Sequence, residues 1–248
     1  MRLSDRPELL TLRGVRFDYP RAGHERPGLR AALLGRAATP TAAALSDIDL
    51  SIREADRLAL VGLNGAGKST LLRLLAGLYP PTAGQIRMAV EPTTLFDLAP
   101  LQAEATGREN ARLWLALRGH GAPDALRDVE AFADIGAAFD RPVRTYSTGM
   151  RTRLGFALAL AAPGDALLVD EVVSAGDFAF IERARRRLEQ RIAAARAIVV
   201  ASHSDDVLRD LCETAILLEG GRIVARGPVD EVLALYRTGT RGRRLTFG

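Results

Sequence analysis

The chain is poor in the residues that staple small folds together. Cys212 is its only cysteine, so no internal disulfide can form, and no Cys/His cluster has metal-ligand spacing. The plain reading of Cys212 is a small buried side chain. No apolar run approaches the ~18 residues that a bilayer span requires. Residues 1–14 scatter charges and hold no apolar h-region, so no secretory signal is expected and a cytosolic location is. Lysine is as scarce as cysteine: Lys68 stands alone, and every other member of the 34 Lys+Arg is arginine. Against 30 Asp+Glu the net charge is only +4, too little to mark a nucleic-acid binder, although arginines gather between Arg183 and Arg191 and again at Arg237, Arg241, Arg243 and Arg244. A hydrophobic share of 48% with 26% charged residues is what a globular chain with a sizeable core carries, which excludes disordered and fibrous classes.

The lone lysine lies within GLNGAGKST, Gly62 to Thr70, which fits the G-x-x-x-x-G-K-[ST] pattern and follows the apolar run Leu58 to Val61. Strand, loop and helix are expected in that order. Gly62, Gly65 and Gly67 let the backbone curl so that successive N–H groups of Asn64, Ala66 and their neighbours face one concavity, and a helix starting near Lys68 aims its positive end there. Polyphosphate is the natural guest. Lys68 supplies a point charge for the outer phosphates, and the hydroxyl of Ser69 can ligate Mg²⁺. A second buried-strand signal, Ala166 to Val169, ends in Asp170 and Glu171. Beside the phosphate loop, Asp170 would hold Mg²⁺ through water and Glu171 would polarise a water for attack on the terminal phosphate. A third, Ala197 to Ala201, delivers Ser202 and His203. Three parallel strands would set Gly62, Asp170 and His203 along the sheet edge where ligands of open α/β folds bind, with His203 orienting the terminal phosphate.

In combination these residues resemble the ATP-binding subunits of ABC transporters, from about Leu9 to Tyr236. Tyr146-Ser147-Thr148-Gly149-Met150 is similar to the signature motif of that family, with Thr148 in place of the second serine, and Ser147 can cap the helix that follows. The resemblance implies a P-loop NTPase of α/β class with a mostly parallel core sheet, an N-terminal antiparallel β region and an inserted helical lobe. It implies a Mg²⁺-dependent ATPase acting as a head-to-tail homodimer, each ATP held between the Gly62–Thr70 loop of one chain and Ser147, Thr148 and Gly149 of the other. Tyr19 matches the aromatic that stacks on adenine. Asp97 stands where the family usually has a phosphate-sensing glutamine, which makes it a candidate Mg²⁺ contact. Ala55 replaces a glycine usual before the phosphate-loop strand, and Ser174 to Asp177 varies the dimer-contact loop.

The flanking segments Leu95 to Leu98, Thr106 to Asn110, Phe139 to Thr145 and Asp170 to Asp177 look like the branch that exports lipid-linked polysaccharides: O-antigen, capsule or teichoic acid. Leu29 to Arg36 is similar to an insertion in some of those members. On that resemblance the partners are integral membrane permease subunits, the cargo a lipid-linked glycan, and the location the cytoplasmic face of the inner membrane. No nucleic acid is expected; an ABC ATPase for another cargo, or a soluble clamp on nucleic acid, are the competing readings.

One domain is expected over 1–248: a β region with the phosphate-loop core to residue 94, a helical lobe over 95–145, the signature and remaining core over 146–236, and an Arg-rich tail. Strands are expected over Thr11 to Tyr19 and Ile48 to Ile52, separated from Pro20 to Ala44 by a loop with one short helix. Thr106 and Glu109 form a capping-box pattern ahead of an apolar helix. Phe178, Ile181, Leu188 and Ile192 recur at helical spacing. Glu219-Gly220-Gly221 reads as a hairpin turn, and Pro228 to Tyr236 as a short closing helix. With only that tail after the helix, the extra C-terminal carbohydrate-binding domain carried by some O-antigen relatives is not expected.

Overall fold

The computed structural model describes residues 6–20, 41–95, 101–119, 122–161, 165–170 and 178–244. Asp97, Glu171, the Leu29 to Arg36 segment and Ser174 to Asp177 lie outside them. The described chain forms nine strands: β1 (Glu8–Pro20), β2 (Thr41–Arg53), β3 (Arg57–Val61), β4 (Ala83–Met88), β5 (Pro92–Thr94), β6 (Ala166–Asp170), β7 (Ala197–Ala201), β8 (Thr214–Glu219) and β9 (Arg222–Pro228). A three-stranded antiparallel sheet has the order β2-β1-β4, and a six-stranded sheet the order β5-β6-β7-β3-β8-β9. All pairs in the larger sheet are parallel except β8 with β9.

Strands β3, β6 and β7 are the short apolar runs picked out above, and their inner residues are buried on both faces, as parallel strands covered by helices must be. The helices are α1 (Lys68–Leu75), α2 (Gly107–Leu117), α3 (Pro123–Ala133), α4 (Thr148–Ala161), α5 (Phe178–Ala194), α6 (Asp205–Leu211) and α7 (Val229–Arg244). One apolar core joins α1 and the antiparallel sheet to one side of the large sheet, through Leu12, Ile48, Leu71 and Leu168. A second lies on the other side, with Phe156, Phe180, Leu188 and Leu208. A third belongs to the helical segment and holds Leu115, Val129, Phe139 and Leu158. Helix α4 contributes to both of the last two, which explains why it is apolar nearly all round.

The structure corrects several element boundaries. The second strand begins at Thr41, not Ile48: Thr41, Ala42 and Ala43 pair with Pro20, Tyr19 and Asp18, so a distant partner draws an Ala-rich stretch of weak strand preference into a ladder. The closing helix starts at Val229 and continues to Arg244, past the expected end at Tyr236. On α5 the buried stripe runs through Phe180, Ala184 and Leu188, with Ile192 packed against it; Phe180 was passed over in the spacing argument. The hairpin at Glu219 to Gly221 forms with Gly220 and Gly221 both at positive φ.

In the helical segment α2 starts with a full capping box. Thr106 accepts from the Glu109 N–H, and the Glu109 carboxylate accepts from the Thr106 N–H at 2.8 Å. Backbone and side-chain hydrogen bonds from Thr106 hold the Glu109 carboxyl below the usual glutamate range. Arg108 donates to both oxygens of Glu130 on α3 and to Asp140 in the following turn, while its guanidinium lies 4.9 Å from the centre of the Phe139 ring. Asn110, buried, donates to the Thr106 and Gln102 carbonyls and accepts from the Gln102 N–H. The Thr106 to Asn110 motif is thus a structural clamp on this segment.

Candidate functional site

Strands β3, β6 and β7 are adjacent and parallel, with β7 between the other two, so their C-terminal ends meet at one sheet edge. A cleft of about 700 Å³ opens there, lined by Tyr19, Ala43, Ala44, Asn64, Gly65, Gly67, Lys68, Ser69, Thr70, Arg73, Asp170 and His203. Most of the expected phosphate-site residues are therefore brought together. Gly62 and Ala66 support the loop from behind instead. A Cβ on Gly62 would fall 2.4 Å from the Leu218 carbonyl oxygen, so only glycine lets β3 leave the sheet this close to β8. Ala66 is buried; its N–H donates to the Leu63 carbonyl and its carbonyl accepts from Gly221 N–H.

Gly67, at φ 107°, is the residue before α1 and offers no side chain to cap it. No N-cap side chain meets the first-turn N–H groups of α1, and the helix end carries partial positive charge. Lys68 Nζ donates to the Gly62 and Leu63 carbonyls at 2.6 and 3.1 Å, which holds the ammonium over the loop. The ring of Tyr19 lies edge-on to Phe17 and Tyr79, with centroids 4.9 and 6.0 Å away, and its hydroxyl is 3.2 Å from that of Thr70. Tyr19 is both packed against the core and open to the cleft. Ser69 and Asp170 bring oxygen donors to the same wall. That donor set fits Mg²⁺, a hard cation content with one or two protein oxygens when phosphate and water supply the rest. Among the described residues no group of three or more His, Cys, Asp or Glu is placed to hold an ion, and such a site needs none.

Ser147, Thr148 and Gly149 are exposed at the start of α4, where the Ser147 hydroxyl accepts from the Met150 N–H at 3.2 Å. They do not line the cleft of their own chain. Arg73, Ala43 and Ala44 line it without having been picked out. Spacing contained a signal for Arg73, which follows Ser69 by four residues and Thr70 by three and so shares their helix face. Cys212 is buried, and burial pushes its thiol up to about 12, an inert group. No described helix is long and apolar enough to cross a membrane.

A family model described as ABC transporter matches residues 45–174. The O-antigen export system ATP-binding protein RfbE of Yersinia enterocolitica is 40% identical over 187 residues, 74% of this chain and 78% of that one. The teichoic acids export ATP-binding protein TagH of Listeria innocua serovar 6a is 34% identical over 196 residues, 78% of this chain but 58% of TagH. In fold, the chain is similar to the dimeric post-hydrolysis structure of the ATP-binding cassette MJ0796 bound to ADP and Pi, with a TM-score of 0.66 at 22% identity over 89% of this chain and 99% of that one.

Proposed function

Since the chain belongs to the ABC transporter family, we propose that it is the ATP-hydrolysing subunit of an exporter that moves a lipid-linked polysaccharide through a separate membrane permease. The cleft carries the ATPase part of this reading: a glycine-rich loop, a lysine, an uncapped helix end, a carboxylate and a histidine share one sheet edge. The cargo rests on the O-antigen and teichoic acid relatives. We take 1–248 as one ATP-binding domain with its lobe over 95–145.

In the proposed mechanism the loop N–H groups and Lys68 offset the charge of the outer phosphates as it shifts toward the leaving oxygen. Ser69 and Asp170, with Asp97 as a further candidate, would hold Mg²⁺, which would supply positive charge to neutralise phosphate oxygens. Glu171 accepts the proton of the attacking water, and His203 donates to the terminal phosphate. Tyr19 stacks on the base. Ser147, Thr148 and Gly149, exposed at the start of α4, offer a second helix start to the ATP held by a partner chain, so two ATP molecules close a homodimer and hydrolysis reopens it. The assembly sits on the cytoplasmic face of the membrane through the permease.

The test is Glu171→Gln as the sole cellular copy. Lipid-linked glycan accumulating inside, with glycan lost from the surface, is the expected result. Unchanged surface glycan with the variant expressed refutes the cargo. Purified Glu171→Gln should bind ATP and persist as a dimer; rapid turnover by it refutes the role of Glu171.

A further inference from the structure

We propose that Tyr146 is a positioning residue for the nucleotide of a partner chain: its buried hydroxyl ties the start of α2 to the turn at Ala138 and so fixes where Ser147, the next residue, is presented. The proposal rests on the reading that Ser147, Thr148 and Gly149 meet ATP held by a partner chain, and it adds the device that holds them in place.

Tyr146 is 5% exposed, while Ser147 is open to solvent, so a single peptide separates a core anchor from a helix start offered at the surface. The Tyr146 O–H donates to the Ala138 carbonyl at 2.7 Å. The same oxygen accepts from the Gly107 N–H, one of the donors that a helix leaves unpaired in its first turn. Burial pushes the phenol above the usual tyrosine range, against the pull of the Gly107 bond, so the group is a neutral donor and acceptor near pH 7. The fit is close: a Cβ on Gly107 would lie 2.3 Å from the phenol oxygen. Gly107 is the first residue of a helix and has no left-handed backbone, so glycine here answers to space, chiefly that of the phenol. The backbone leading to the anchor is tied to the same place. The Val143 and Arg144 N–H groups donate to the Ala105 and Ala103 carbonyls at 2.9 and 2.8 Å, and Pro142 bridges to Thr106. Towards the far end of α4 the Trp114 indole donates to the Leu158 carbonyl at 3.2 Å. Helix α4 is thus held to α2 at both ends, and Tyr146 is the tie beside Ser147. Neither Tyr146 nor Gly107 lines the cleft of its own chain, which makes positioning separable from ATP binding there.

The experiment places Tyr146→Phe, Gly107→Ala and their combination in the full Glu171→Gln chain and compares ATP binding by dilute monomer with ATP-driven dimerisation, both well below the melting temperature. Tyr146→Phe should leave monomer binding within about twofold of the parent and weaken dimerisation about tenfold, because a small misplacement of a positioned group is felt on that scale or above. Gly107→Ala, which pushes the phenol from the α2 side, should weaken dimerisation at least as much. In the double variant the new methyl takes space that the hydroxyl has left, so dimerisation should recover above that of Gly107→Ala alone, a coupling that two unrelated defects would not show. Lower melting temperatures with dimerisation unchanged in the single variants overturn the proposal and leave Tyr146 a core residue. Gly107→Ala decides the matter by itself if Tyr146→Phe does not fold. A Glu171→Gln parent that binds ATP yet stays monomeric refutes instead the two-chain reading beneath.

Discussion

Two helices of this protein begin in opposite ways. Helix α2 starts behind Thr106, whose side chain and that of Glu109 close each other's backbone groups in a reciprocal box. Helix α1 starts behind Gly67, which closes nothing. The first helix end spends its N–H groups on stability, and the second leaves them facing a cleft. Glycine in place of a capping Thr or Ser costs only about a few tenths of a kcal/mol, and this helix start borders the cleft lined by Lys68, Ser69 and Asp170. The difference predicts that loss of the Lys68 ammonium at α1 is read in turnover and loss of the Thr106 cap at α2 in stability.

The sharpest test is Lys68→Ala. It should lower ATP hydrolysis about 100-fold or more, the scale for removing one preorganised electrostatic donor. The melting temperature should move little, because the ammonium donates to the Gly62 and Leu63 carbonyls of its own loop. Comparable losses of turnover and of stability in this variant would break the contrast between the two helix starts.

Next in size is Gly67→Ala. Its φ of 107° suits glycine alone, and a Cβ there would lie 2.7 Å from Leu45 Cδ2 and 3.0 Å from the Ala44 carbonyl oxygen. A loss of about 1–3 kcal/mol in stability is expected from the strained backbone, together with weaker nucleotide binding, since Ala44 borders the cleft. Thermal unfolding with and without ATP separates the two effects.

Thr106→Ala, on the other helix, should cost about 1 kcal/mol and leave ATP hydrolysis by the surviving folded protein unchanged. The partner, Glu109, gives a pH test. Its carboxyl is held below the usual range by hydrogen bonds from Thr106, so its contribution is fully present above the unfolded glutamate value of about 4.3 and is lost as pH falls through the lowered one. Unfolding of Glu109→Ala against the parent should show a penalty at pH 7 that shrinks in acid.

These contrasts also mark what was legible in the sequence. The strands β3, β6 and β7 and the loop at Gly62 to Thr70 could be read because buried parallel strands write themselves as continuous apolar runs and because phosphate cradling restricts residue types at fixed spacing. The capping box of α2 was equally local. Strand β4 was not read: Ala83 to Met88 is mostly exposed and contains Gly84, so it has neither a run nor an alternation. The start of β2 at Thr41 depends on pairing with Pro20 and Tyr19, a contact no local pattern records. Arg73 is illegible for another reason: the phosphate-loop motif ends at Thr70, while the helix face it shares with Ser69 and Thr70 continues beyond it.

The smallest effect comes from Ala55, which repeats the comparison in miniature. Both Gly67 and Ala55 occupy left-handed backbone, with φ 107° and 65°, but only one of them is glycine. Ala55 sits in the turn between β2 and β3, its N–H donating to the Arg196 carbonyl at 2.6 Å, while Glu54 beside it pairs with the Arg196 guanidinium at 3.1 Å. These bonds hold the turn in a conformation that costs an L-residue roughly 1–2 kcal/mol. Glycine removes that cost and adds about 0.4–1 kcal/mol of unfolded-state entropy. The exposed methyl of Ala55 contributes no burial to lose. Ala55→Gly should therefore stabilise the protein by about 0.5–1 kcal/mol, a rise of roughly 1–4 °C in melting temperature for a chain of this size, with ATP hydrolysis unaltered. A fall in melting temperature would mean that the turn relaxes around alanine, and that left-handed backbone is tolerated here for reasons unlike those at Gly67.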